Sequence, residues 1–443
     1  MIVQLRPGVV VFGFDKPPKR VPRCREFHPI SSLKPKEDMN LDKVYQNLTV
    51  PNHTKIALVV LDGLGDIATE STGYRTPLEA ANTPTLDALA KRSALGRMIP
   101  VAPGITPGSG PGHLGLFGYD PLEFEVGRGV IEALGLGIDL KAGDVAARAN
   151  FCTLDTKGLV TDRRAGRIDT PVCEAQVELL KKKIKKIGDV EVILKAGKGH
   201  RFVVIFRGKG LEGPLTNTDP GREGQPIAVS KPVKKTAKSS KAAKVVAEFY
   251  KQALPLLKNC RPANGFLLRG IAHQPAIPTF EQRYGLKAAA IAVYPMYKGL
   301  AQLVGMKKVE GTQTVQDEFN AAVDALKAFD FVFVHVKYTD MYGEDGNFDG
   351  KVKAIEEADA ALRVLLPEVD VIAITGDHST PVPVKGHSWH PQPVMITSEI
   401  AGWDGLDRFT ERAANSGSLG IFEAKHLIRL LQANARRLDK FGA

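Results

Sequence analysis

The chain has 443 residues, 43% of them hydrophobic and 25% charged, with a formal net charge of +11. That length accommodates two domains and a sizeable core, and the residue mix is ordinary for a globular protein. No apolar stretch approaches the ~20 residues needed to span a bilayer, so a membrane partner is not expected.

The positive charge is local. Lys231–Lys244 (KPVKKTAKSSKAAK) carries six lysines and no acid, and +11 less those six is +5. The tract reads as a solvated loop or helix start. It lacks the interleaved aromatic residues that stack on bases, so a nucleic-acid partner is not expected. A basic surface suits a small phosphorylated substrate equally well. At the N-terminus the basic residues follow the apolar patch, the wrong order for a secretory signal. Cys24, Cys152, Cys173 and Cys260 are widely spaced. That pattern implies reduced thiols in a cytoplasmic protein, without a disulfide framework or a cysteine zinc site.

The first 54 residues are rich in Pro and Lys and weakly periodic, and read as an irregular arm. A buried strand is expected from Ile56, ending in the turn at Asp62–Gly65. Thr83–Arg92 reads as a helix, capped by Thr83 with Pro84 in its first turn. Ile105–Gly112 (ITPGSGPG) presents Ser109 in a turn too glycine-rich for a helix. From about Ala146 to Ala272 the texture changes. Strand-like Val190–Leu194, Phe202–Phe206 and Phe266–Leu268 alternate with helical Glu174–Ile187 and Ala242–Leu257. The first texture returns with strands at Ala288–Val293, Phe331–Val336 and Val371–Thr375, and an amphipathic helix at Gly350–Leu366. The expected fold class is therefore α/β. A discontinuous domain (residues 1–122 and 276–443) would carry the metal site, and an inserted smaller domain (residues 123–275) would be a substrate-binding lid.

Six segments hold the residues with chemistry. Asp62, Asp340 and Asp377 each follow an apolar run, where open α/β sheets collect ligands. Asp340, Glu344, Asp377, His378, His387 and Asp62 supply four carboxylates and two imidazoles. That is enough for two divalent ions ~3.5–4 Å apart, able to clamp both oxygens of an in-line displacement. Ser109 would be the nucleophile, since a serine hydroxyl needs a base or a metal to react at neutral pH. Asp162 stands in DRRAGRI beside three arginines. Taken singly, Asp62 reads as a turn former, Ser109 as a loop serine, and Asp340 and Glu344 as loop solvation. The combination carries the argument.

The segments LDGLGD, TPTLDALA, PGSGPGHLGLFGYDP, VGRGVIEALG, GDVAARANF, TDRRAGRI, GHRF, LLRG and TGDHSTP, in this order, resemble the archaeal-type 2,3-bisphosphoglycerate-independent phosphoglycerate mutases. That family falls in the alkaline phosphatase superfamily. The resemblance runs from about Lys55 to the C-terminus. It implies an alkaline-phosphatase-like sheet core with helices on both faces. It also implies interconversion of 3-phosphoglycerate and 2-phosphoglycerate through a phosphoserine at Ser109. Asp62, Ser109, Asp377 and His378 would surround one metal, and Asp340, Glu344 and His387 would hold the other. Asp162 would be the acid/base on the glycerate hydroxyls. Arg163, Arg201, Arg269 and Lys298 would bind phosphate and carboxylate, as paired hydrogen bonds from guanidinium to oxyanions allow.

The chain departs from the family pattern in placing Glu344 where a histidine is usual, with Asp345 an alternative ligand next door. An added oxygen donor tilts the expected metals towards Mn²⁺ or Mg²⁺, with Zn²⁺ or Co²⁺ also within reach. Gly110 replaces the usual acid after the serine. The alternative readings are a phosphotransferase resembling homoserine kinase and a metal-dependent phosphatase on the same scaffold.

Overall fold

The computed structural model describes residues 41–442 apart from 125 and 142. Tyr45–Ala443 is one compact unit, and apart from the first turn of a helix that begins at Leu41 it holds everything discussed below. Of the stretch read as an irregular arm, residues 1–40 lie outside the described residues, but Leu41–Leu48 is a helix. That corrects the irregular reading there.

Among the described residues, fourteen strands form two sheets. They are β1 (Ile56–Leu61), β2 (Ala94–Ile99), β3 (Val145–Leu154), β4 (Val160–Asp162), β5 (Lys186–Ile187), β6 (Val190–Ala196) and β7 (Arg201–Arg207). They continue as β8 (Gly265–His273), β9 (Ala288–Ala292), β10 (Lys307–Val309), β11 (Phe331–Val336), β12 (Val371–Thr375), β13 (Gln392–Thr397) and β14 (Gly420–Glu423). The first sheet has the order β10-β9-β11-β1-β12-β13-β2-β14. Pairing is parallel from β10 to β12, and β13 runs antiparallel to both neighbours. The α/β class expected from the sequence is what forms.

The centre of this sheet explains its own sequence. β1 is IALVVL with every residue buried. Ile56, Leu58 and Val60 join Phe331, Phe333 and Ala373 in one core, while Ala57, Val59 and Leu61 join Val332, Val334 and Ile374 in the other. A parallel strand covered on both faces must be apolar throughout. Because β1 pairs in parallel with both β11 and β12, their carboxyl ends lie side by side. Asp62, Lys337 and Asp377 all follow from that edge.

The second sheet is antiparallel, in the order β4-β3-β7-β6-β5 with β8 on the other side of β3. One face packs Phe151, Phe202, Phe206 and Phe266 against the helices Thr170–Lys183 and Ala237–Leu257. The lysine tract is thus partly the first two turns of a helix capped by Thr236. On the other face Ala146, Val203 and Ile205 meet Val130, Ala133 and Leu134 of the helix Arg128–Gly135. That helix also meets Pro295–Leu303 through glycines: a Cβ on Gly299 would stand 2.5 Å from Gly135 N and 2.6 Å from Ile131 O. Only bare backbone permits so close a crossing.

Ser109 corrects the turn expected from its glycines. It opens a helix, Ser109–Leu116. The glycines are there for contact. A Cβ on Gly112 would lie 2.6 Å from Asp377 O, and one on Gly115 would lie 2.5 Å from Pro100 O. Side-chain-free turns let the helix sit directly on the segment that carries Asp377.

Candidate active site

The turn after β1 delivers Asp62, the segment after β12 delivers Asp377 and His378, and the glycine-rich helix delivers Ser109. These meet. His378 Nε2 lies 3.3 Å from Asp62 Oδ1, 3.1 Å from Asp377 Oδ2 and 3.4 Å from Ser109 Oγ. Asp62, Asp377 and His378 are fully buried.

The hydrogen-bond chain fixes the tautomer. Thr380 Oγ1 donates to Asp340 Oδ1 (2.6 Å), so it accepts from His378 Nδ1 at 3.0 Å. Nε2 is then the bare nitrogen. Burial first of all pushes the His378 pKa down, which keeps the ring neutral. Asp62 Oδ1 and Asp377 Oδ2 are buried without a hydrogen-bond donor. A lone pair and two carboxylate oxygens therefore face one another, an arrangement that repels unless a cation sits among them. The donor set fits a divalent ion.

A second set adjoins it. Asp340 and Glu344 lie one turn apart on the helix Tyr338–Asp345, a correction to their reading as loop residues. His387 donates from Nδ1 to Pro107 O (2.9 Å), leaving Nε2 bare at 3.6 Å from Asp340 Oδ1 and 3.8 Å from Glu344 Oε1. His387 stacks on His378 with ring centres 3.6 Å apart. Asp340, His378 and His387 form one group able to hold a metal, and Asp62, Asp377 and His378 form another. Glu344 stands beside the first with its side chain 55% exposed.

Several neighbours carry no signal that was read from the sequence. Lys337 Nζ lies 2.8 Å from Asp62 Oδ2 and also contacts Asp340 Oδ2, so one ammonium bridges the two groups. Tyr297 donates to Asp62 Oδ2. Burial alone would raise the Asp62 pKa, but His335, Lys337 and His378 together hold it well below the usual carboxylate range. His113 Nδ1 contacts both Ser109 O (2.8 Å) and Asp377 Oδ2 (3.1 Å). A signal existed: His113 lies one helical turn after Ser109, but the glycines hid the helix.

Ser109, Lys337, Asp340, Glu344 and His387 line one wall of a cleft of about 1060 Å³, and Arg128, Arg148, Lys198 and Arg201 of the second sheet's side line the other. Beyond it a cavity of about 270 Å³ gathers Arg148, Arg164, Arg167, Arg201, Arg269 and His200. Burial and the surrounding arginines push His200 down to about 4, so it is neutral.

The remaining expected residues fall as follows. Asp162 accepts the amides of Arg164 (2.7 Å) and Gly166 (2.5 Å). Arg163 and Arg269 both bind Asp219, and Arg201 borders the cavity and the cleft. Lys298 Nζ lies 2.6 Å from Glu310 Oε2.

A family model described as 2,3-bisphosphoglycerate-independent phosphoglycerate mutase matches residues 90–264. The chain is 49% identical to a probable 2,3-bisphosphoglycerate-independent phosphoglycerate mutase of Thermotoga neapolitana, over 91% of this chain and 100% of that one. It is 48% identical to the counterpart of Aquifex aeolicus over 90% and 100%. Among solved structures, a Pyrococcus horikoshii protein superposes with a TM-score of 0.74 at 34% identity, covering 88% of this chain and 99% of that one. The cofactor-independent phosphoglycerate mutase from Thermoplasma acidophilum gives 0.68 at 32%, covering 86% and 100%. Similarity over nine-tenths of the sequence, with the same fold, leads to one conclusion: the chain belongs to the 2,3-bisphosphoglycerate-independent phosphoglycerate mutases, a family of isomerases.

Proposed function

We propose that this protein interconverts 3-phosphoglycerate and 2-phosphoglycerate through a phosphoserine at Ser109, without 2,3-bisphosphoglycerate. The observation that carries the reading is the convergence of Ser109 on the buried Asp62, Asp377 and His378. Two divalent ions, Mn²⁺ or Mg²⁺ in preference to Zn²⁺ or Co²⁺, would be held by Asp62, Ser109, Asp377 and His378 and by Asp340, Glu344 and His387. They would lower the pKa of the serine hydroxyl and neutralise charge on the phosphoryl oxygens.

Ser109 gives up its proton as Oγ attacks phosphorus, the bond from phosphorus to the substrate 3-oxygen breaks, and that oxygen takes up a proton in its place. The bound glycerate turns, its 2-hydroxyl gives up its proton and attacks the phosphoserine, and Ser109 is restored. Asp162 moves protons on the glycerate hydroxyls. Arg163, Arg201 and Arg269 grip phosphate and carboxylate as planar forks. Lys298, whose ammonium lies 2.6 Å from Glu310 Oε2, joins these cations, and Lys337 adds another beside Asp62 and Asp340. The chain works as a catalytic part (residues 1–122 and 276–443) and a lid (residues 123–275), and closure of the lid excludes water from the phosphoserine. Separate cores for the two sheets support that division. A cytoplasmic setting is supported by the cysteines among the described residues, Cys152, Cys173 and Cys260, which are free thiols. No described helix is long and apolar enough to cross a membrane.

The test is direct. Purified protein with Mn²⁺ and 3-phosphoglycerate, and no 2,3-bisphosphoglycerate, should form 2-phosphoglycerate in an enolase-coupled assay. Ser109→Ala and EDTA should each abolish turnover. Free phosphate without 2-phosphoglycerate would point to a phosphatase, and activity only with ATP and an amino-acid alcohol to a kinase. Either result would overturn the proposal.

A further inference from the structure

Arg269, at the wall of the smaller cavity, and Arg163 are both held by a residue with no assigned part. Asp219 lies in the loop following Leu215–Thr218, and its side chain is only 4% exposed. Oδ1 accepts Arg163 Nε (2.9 Å) and the Gly221 amide (2.9 Å). Oδ2 accepts Arg163 Nη2 (3.1 Å) and pairs with Arg269 Nη2. One carboxylate thus engages two guanidinium groups from distant parts of the chain, Arg163 as a two-pronged fork. Burial alone would raise the Asp219 pKa. The bonds from Arg163 and Gly221 and the charge of Arg269 outweigh it and keep the group ionised.

Bonds that do not involve the carboxylate hold the loop beside Arg269. Thr218 N donates to Leu268 O (2.9 Å), Leu268 N to Thr218 Oγ1 (2.7 Å) and Gly270 N to Asn217 Oδ1 (2.9 Å). The loop is therefore tied to β8 on both sides of Arg269. Losing the Asp219 charge leaves that scaffold in place.

The carboxylate also subtracts charge. Five arginines border the cavity of about 270 Å³. The only ion pair made by Arg148 among the described residues is a long one, 4.0 Å to Glu132. So strong a field would draw any small anion. Resting on the phosphoglycerate reading, we propose that Asp219 is a positioning residue that sets selectivity. It locks Arg269 in one orientation at the cavity wall, with Arg163 as its second partner, and lowers the local charge, so that the cavity answers to the geometry of an organic phosphate-carboxylate ligand rather than to charge alone.

Asp219→Asn in the full-length, Mn²⁺-loaded protein tests this. Losing charge-assisted bonds to two arginines should raise KM for 3-phosphoglycerate by on the order of tenfold or more. kcat should change much less. Sulfate binding, measured by titration calorimetry and as inhibition, should become tighter. Asp219→Glu should recover part of the KM. A KM within twofold of wild type would overturn the proposal. So would weakening of substrate and sulfate together with a lowered melting temperature, the signature of a purely structural role. If the unsubstituted protein does not turn over 3-phosphoglycerate, the phosphoglycerate reading fails instead. Sulfate calorimetry on the two proteins still decides for Asp219: tighter binding in the variant supports it, and equal or weaker binding overturns it.

Discussion

Lys351 offers the sharpest test of how the metal-binding segments are held. It lies on the helix Phe348–Leu362, and neither it nor its partner Asp66 has any exposed side-chain surface. Its ammonium lies 2.8 Å from Asp66 Oδ2, 2.9 Å from Gly63 O and 3.0 Å from Thr380 O. Those carbonyls belong to the segments that carry Asp62 and His378. Lys351→Met keeps most of the volume and removes the charge. Asp66 then keeps only backbone amides, from Val382 (3.2 and 3.0 Å) and Ile67 (2.9 Å). Stranding one partner of a buried pair costs about 3–5 kcal/mol, and the remaining amides place this case at the lower end. At about 2 °C per kcal/mol for a chain of this size, the melting temperature of metal-free protein should fall by roughly 6 °C. Asp66→Asn added to Lys351→Met removes the stranded charge and should recover part of the loss. Calorimetry and guanidinium unfolding of the four proteins close the cycle. A loss below about 1 kcal/mol, or a double variant no better than Lys351→Met, would refute the argument. Because Gly63 N also donates to Asp377 Oδ1 (3.1 Å), Mn²⁺ affinity should fall in the same variant.

Two further outcomes follow from single groups. Glu344→His restores a softer donor beside His387 and should shift relative affinity from Mn²⁺ towards Zn²⁺ in titration calorimetry. Unchanged preference would mean that Glu344 is not a ligand and would turn attention to Asp345. Glu318, 2% exposed at the cleft and accepting the Val293 amide at 3.1 Å, is pushed up to about 8, chiefly by burial. Its folded pKa exceeds the ordinary 4.5. Its contribution to stability is therefore fully present below about pH 4.5 and is lost as pH rises through about 8. Glu318→Gln keeps an acceptor for Val293 and should flatten that decline. At about pH 9 it should be more stable than the parent by on the order of a few kcal/mol. Coincident unfolding midpoints at that pH would show that Glu318 ionises normally.

What the sequence made legible divides along physical lines. Strands β11 and β12 fall at Phe331–Val336 and Val371–Thr375 as their apolar runs implied, because a strand covered on both faces leaves no alternation to misread. The helix expected at Gly350–Leu366 forms at Phe348–Leu362, since its stripe reports the period while its ends depend on caps such as Asn347. β13 was not foreseen. It lies between β12 and β2 although it contains Pro393, a residue that argues against an interior strand. The helix at Ser109 was missed for the opposite reason. Its glycines lower propensity locally, and the gain that offsets them, contact with the Asp377 carbonyl, comes from a segment more than 250 residues away.

The site shows the same limit in sharper form. Each acid after a strand could be named because the signal lies within a few residues. Which side chains stand beside it depends on strand order, and no local pattern encodes that. The order β9-β11-β1-β12 puts four carboxyl ends in a row. Tyr297, just past β9, therefore stacks on His335 of β11, with ring centres 3.7 Å apart, and reaches Asp62 at the end of β1. Lys337, just past β11, lies between Asp62 and Asp340 for the same reason. Had β9 lain at the opposite edge of the sheet, beside β14, Asp62 would still follow a buried strand, yet Tyr297 would not border it. Chemistry-bearing residues were legible as single ligands. Their electrostatic partners, which decide whether a buried carboxylate stays ionised, are a property of the sheet.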